Sequence, residues 1–104
     1  KLLKRTRDFT ALFAGNDTVA FGAMPALDEA GLRIPDDVAV VGYDDVPLAA
    51  YVNPPLTTLR TDPIEQGVGA VDLLMARING EPYERLEESY ATALVIRKSC
   101  GANR

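Results

Sequence analysis

The chain has 104 residues, 47% hydrophobic and 25% charged, with a formal net charge of −4, which is the size and make-up of one soluble globular domain with a modest core. Cys100 is the only cysteine and histidine is absent, which excludes an internal disulfide, Cys/His zinc sites, Ser-His-Asp triads and Cys-His nucleophiles. The acidic balance argues against a DNA-binding face, and the small basic cluster of Lys1, Lys4, Arg5 and Arg7 reads as a solvated helix face.

The chain opens on what reads as a helix end, without a starting Met, so a piece of a longer protein is expected. No apolar run approaches the roughly 20 residues of a membrane span, and Lys1–Arg5 is not followed by the apolar stretch of a signal peptide. Thr10–Ala14 is a short apolar run ended by Gly15. Asn16 or Asp17 can cap the next helix, because a short side-chain oxygen satisfies an unpaired backbone N–H. Val19, Ala20, Ala23, Leu27 and Ala30 recur at helical spacing, and Gly31 closes the helix with Pro35 beyond it. Pro25 falls inside, where it removes a donor and clashes one turn back, so a kink or a local break is expected there.

Val38–Val41 is apolar on both alternating faces, as suits a parallel strand buried on both sides. It ends at Gly42 and leads into Tyr43, Asp44 and Asp45. A single helical turn over Val46–Tyr51 follows, and Asn53-Pro54-Pro55 breaks it. Leu56–Leu59 reads as a third strand. Asp62 then caps, Pro63 takes the first helical position and Glu65 completes a capping box. Ile64, Val68, Val71, Met75 and Ile78 make one apolar stripe, and Asn79-Gly80 stops the helix. Tyr90–Arg97 is rich in strand formers and reads as the last strand.

Strands alternating with helices imply an α/β fold in three layers with a mostly parallel sheet. Ligands in such sheets bind beyond the carboxyl ends of the strands, which selects Asn16-Asp17, Tyr43-Asp44-Asp45 and Thr61-Asp62. Asn16 and Asp17 also serve as caps. Asp44 and Asp45 could accept hydrogen bonds from sugar hydroxyls, hold Mg²⁺ beside a phosphorylated Asp as in receiver domains, or cap a following turn. The glycines make neither a dinucleotide fingerprint nor a phosphate loop, and no general acid/base pair is identifiable.

The segment Ala11–Met24 resembles "A-x-x-x-x-N-D-x-x-A-x-G-A-M" of the LacI/GalR family of transcription regulators. Ala30–Asp45 resembles its "G-L-R-x-P-x-D-V-x-V-V-G-Y-D-D", Pro54–Thr58 its "P-P-L-T-T", and Arg97–Cys100 its "R-x-S-C". The matches are in order and cover roughly residues 10 to 100. The resemblance implies the C-terminal lobe of a two-lobed, periplasmic-binding-protein-like type I effector domain. A small effector, often a sugar or purine, sits between the lobes. The N-terminal lobe and the helix-turn-helix that binds operator DNA are expected outside this chain. By the same resemblance Asn16 and Asp44 face the effector, while Asp17, Asp45 and Asp62 cap or orient. Pro63 is the third effector-binding position that the resemblance implies, standing where a contacting aromatic is common, and Pro25 replaces a long polar residue. Phe21 and Tyr51 match positions facing the partner in a homodimer.

The family topology sends the chain out of this lobe near Arg60 to Asp62, packs the helix from Pro63 on the other lobe, and returns for the last strand. With that lobe absent, the apolar stripe is expected to fold back locally or to pack on a neighbouring chain. The reading as a whole is a cytoplasmic allosteric sensor with no catalytic residue, metal or cofactor. A transport-type periplasmic sugar-binding protein shares the fold and is the alternative; a receiver domain would need a differently placed Asp and Lys.

Overall fold

The computed structural model describes residues 1–81 and 89–102. In chain order its elements are α1 (Leu2–Arg5), β1 (Ala11–Phe13), α2 (Asp17–Glu29), β2 (Ala39–Asp44), a short 3-10 helix (Pro47–Ala50), β3 (Thr57–Arg60), α3 (Pro63–Ile78) and β4 (Ala93–Val95). The chain divides into two compact units, Lys1–Arg60 with Ala93–Arg104, and Thr61–Thr92. The division falls where the chain is expected to leave and re-enter the lobe.

In the first unit the four strands form one sheet in the order β1-β2-β3-β4. β1 pairs with β2 and β2 with β3 in parallel, and β4 runs antiparallel to β3. The fold is therefore α/β with a mixed, mostly parallel sheet, as expected. Its last strand is shorter than the stretch Tyr90–Arg97: only Ala93–Val95 join the ladder, and Arg97 instead donates its backbone N–H to the Thr57 hydroxyl.

α2 packs against β2. Its buried residues Ala20, Met24 and Leu27 meet Val38, Val40, Leu56, Ala14 and Ala49. Full burial of a side chain such as Leu56 or Val40 stabilises the fold by about 2 kcal/mol each. The buried stripe is rotated from the expected one, because Met24 turns inward while Val19 stays 55% exposed. β2 likewise buries one face fully, at Val40 and Gly42, and the other only in part. The helix is not broken at Pro25. That residue lies on the exposed side of α2, where water can reach a carbonyl left without its donor. Gly31, at φ +76, ends α2 in the left-handed conformation, and the Leu32 N–H returns to the Leu27 carbonyl at 2.9 Å.

The second unit is built on α3. Asp62 Oδ1 accepts from the Ile64 and Glu65 N–H groups at 3.1 and 3.0 Å, and Pro63 opens the helix. The Glu65 side chain accepts no bond from the Asp62 N–H, so only the Asp62 half of the expected capping box is formed. The apolar stripe Ile64, Val68, Val71, Met75 and Ile78 is exposed along its whole length, and so is Leu74. The expected local fold-back therefore does not occur: in this chain Ala76 is the buried residue of α3.

Candidate functional site

The carboxyl ends of the parallel strands carry the site. Asn16 follows β1 and is the N-cap of α2. Its Oδ1 accepts from the Val19 N–H at 2.9 Å, so its oxygen is committed to the helix. Its amide nitrogen donates to no described residue.

Asp17, the first residue of α2, is completely buried. A buried carboxylate is tolerated only with partners for its oxygens, and these come from β3 and from the loop after β2. Oδ1 accepts from the Thr58 hydroxyl of β3, and Oδ2 accepts from the Val46 N–H at 2.9 Å. Asp17 thus orients the loop that follows β2, in agreement with the sequence reading. This arrangement requires Gly42. A Cβ at that position would collide with the Asp17 carboxylate and stand 3.0 Å from Leu56 Cδ2.

Asp44 is the last residue of β2, opposite Arg60 of β3. It is exposed, and its side chain bonds to no described residue. Its φ is +114 and that of Asp45 is +53. The second value lies in the left-handed region that Asp tolerates, whereas the first does not. Conformations of this kind cost on the order of 1–3 kcal/mol and persist only where surrounding contacts impose them.

Those contacts come through Asp45. Its Oδ2 accepts from Arg60 Nε and its Oδ1 from an Arg97 guanidinium nitrogen, each at 2.7 Å. Its N–H donates to Thr58 Oγ1 at 3.3 Å. Burial pushes the Asp45 carboxyl upward, and the two guanidinium groups together outweigh it, holding the group below the usual carboxylate range. Arg97 also donates to the Leu56 carbonyl at 2.8 Å. Two residues on, the buried Ser99 hydroxyl donates to the Val40 carbonyl at 2.6 Å and accepts from the Thr57 N–H at 2.8 Å. The segment after β4 is thereby stitched to both β2 and β3.

The structure therefore gathers Asn16, Asp17, Asp44 and Asp45 at one sheet edge. Pro63 lies in the second unit, exposed at the start of α3, with a pyrrolidine in place of an aromatic ring. Thr58, Arg60, Arg97 and Ser99 belong to the network although sequence reasoning gave them no role. Thr58, Arg97 and Ser99 stand in the quoted "P-P-L-T-T" and "R-x-S-C" segments, which was the available signal. Phe21 is half-buried against the core and Tyr51 is 83% exposed. A groove of ≈ 520 Å³ runs beside α2, lined by Phe21, Met24, Val52 and Pro54 among others. Among the described residues no helix is long and apolar enough to cross a membrane.

Residues 2–100 match the family model of the periplasmic binding protein-like domain. The HTH-type transcriptional repressor PurR of Pasteurella multocida (strain Pm70) is 41% identical over 99 residues, which are 95% of this chain and 30% of that protein. The chain thus spans about 30% of the length of that relative. The regulator CelR in complex with cellobiose superposes with a TM-score of 0.85 at 39% identity, covering 94% of this chain and 30% of that one. The lac repressor dimer bound to operator and the anti-inducer ONPF gives 0.78 at 38% identity, over 88% of this chain and 27% of that one. These relatives are transcription regulators, which fits the regulator reading and not the transport-protein alternative. The chain belongs to the periplasmic binding protein-like domain family, in the form carried by LacI-type transcription regulators.

Proposed function

We propose that this chain is the C-terminal part of the effector-binding domain of a cytoplasmic LacI-type repressor. The effector is a small sugar held between two lobes, and its binding controls operator DNA through a helix-turn-helix outside these residues. The observation that carries the reading is Asp44: an exposed carboxylate in an unfavourable backbone conformation, at the sheet edge where α/β folds bind ligands. A carboxylate there can accept from two neighbouring sugar hydroxyls, and the unused Asn16 amide nitrogen can donate to a third oxygen. Pro63 contributes shape only. Binding shifts the lobe arrangement to the extent that one arrangement holds the sugar better.

Phe21 and Tyr51 are proposed to face a second copy in a homodimer. The exposure of Tyr51 and the groove beside Phe21 support that role.

The test is a thermal-shift screen of the full-length regulator with disaccharides, sugar phosphates and purines. A ligand at a hundred times its Kd stabilises the native state by about 2.7 kcal/mol. A shift for one sugar class that is lost in Asp44→Ala is the expected result. A shift that survives Asp44→Ala would remove Asp44 from the site.

A further inference from the structure

We propose that Asp45, Arg60 and Arg97 form an ionic clamp that positions the Asp44 backbone and ties it to both points where the chain passes between its two units. The inference rests on the effector reading of Asp44 for its purpose, but its geometry is independent of any ligand.

Asp44 pairs with Arg60 in the ladder, but among the described residues its side chain has no partner to impose φ +114. The residue after it does. The Asp45 side chain is only 7% exposed and engages both guanidinium groups, and the adjoining amides are held as well, Asp45 N–H by Thr58 and Val46 N–H by Asp17. Charge-assisted bonds of this kind are the strong ones. The Arg97 half is protected, with an 18% exposed side chain, whereas Arg60 is 59% exposed and contributes less through solvent screening.

The two arginines also occupy particular places in the chain. Arg60 is the last residue before the passage into the second unit at Thr61, and Arg97 follows the return at Ala93. A change in how the chain leaves or re-enters the unit therefore bears on the residue next to Asp44. Arg97 is a positioning residue by this account, and Asp45 is the joint through which it acts.

Amide hydrogen exchange on the full-length regulator, without added ligand, tests the clamp. Arg97→Ala and Asp45→Asn should each speed exchange at the Asp45 and Val46 amides by about tenfold or more, while core amides of α2 stay protected. Arg97→Lys, which keeps the charge but not the fork, should fall between. Asp45→Asn is close to isosteric and keeps the test usable if Arg97→Ala does not fold. Ser99→Ala loosens the same returning segment without touching Asp45, and should leave the two amides unchanged. Unchanged exchange in Asp45→Asn, or an equal rise in Ser99→Ala, overturns the clamp. Cellobiose and lactose binding by Asp44→Ala is read separately. Exchange that rises as stated, with sugar binding indifferent to Asp44, leaves the clamp standing and removes the effector assignment.

Discussion

Gly42→Ala should be disproportionately destabilising for the addition of one methyl group. Within a strand the exchange of Gly for Ala ordinarily favours folding by about 0.5–1 kcal/mol. Here the added Cβ would meet the Asp17 carboxylate and Leu56 Cδ2. Leu56 can yield, since the atom is the end of a side chain. Asp17 cannot move without lengthening its bonds to the Thr58 hydroxyl and the Val46 N–H. Overpacking costs about 1–3 kcal/mol, and each weakened bond to a buried charge up to ~1.5–3 kcal/mol. After the backbone gain is subtracted, a net loss of about 3 kcal/mol is expected. Urea unfolding of the full-length protein reads it as a lower midpoint at unchanged slope. The decisive control is Asp17→Ser, which removes the colliding oxygen. In that background Gly42→Ala should cost less than about 1 kcal/mol, a coupling of ~2 kcal/mol between the two sites. Equal costs in both backgrounds, or a loss below about 1 kcal/mol in the parent, would refute the claim that the Asp17 carboxylate is what demands glycine.

Two further outcomes follow from the same structure. Ser99→Ala strips a partner from both the Thr57 N–H and the Val40 carbonyl in a dry environment, and unfolding should show a loss of about 2–4 kcal/mol. The Asp37 carboxyl is lowered from its usual 3.8 to about 2, first by the hydrogen bond from the Arg33 side chain and then by that from the Arg33 N–H. A lowered value means that the contribution is complete above 3.8 and is lost as pH falls through about 2. An NMR titration of Asp37 should have its midpoint near the lower value, and Arg33→Ala should return it most of the way to the upper one.

Much of the local structure was legible because it depends on neighbours in sequence. Asp62-Pro63 starts α3 by satisfying two backbone donors within three residues. Gly31 ends α2 for an equally local reason. The parallel order of β1 to β3 followed from alternation of strand and helix. The site was only half legible. The crevice rule found Asn16, Asp17, Asp44 and Asp45, but not their division of labour. That division is set by partners 13 to 52 residues away, from Asp45 to Thr58 and from Asp45 to Arg97. No periodicity or propensity encodes such a pairing. The reason for Gly42 was invisible for the same cause, since its neighbour arrives from another element. The rotated stripe of α2 and the short β4 were missed because apolar character alone does not say which of two adjacent faces a partner will cover.

The first unit is assembled from two separated stretches of chain, residues 1–60 and 93–104. In polymer terms the second unit is a loop whose ends must be brought together before Ser99 can dock. Closing a loop of that length costs about 3 kcal/mol as a flexible chain, and doubling it adds only ~0.6 kcal/mol. The sheet is thus nearly indifferent to how long the excursion is, while depending strongly on its return. Truncation before Arg97 would leave the Thr57 N–H and the Val40 carbonyl exposed to a permanent vacancy. An insertion within residues 61–92 would scarcely register in the stability of the sheet. By the same logic, this sheet cannot be completed until residues 93–104 are in place, whatever residues 1–60 have already done.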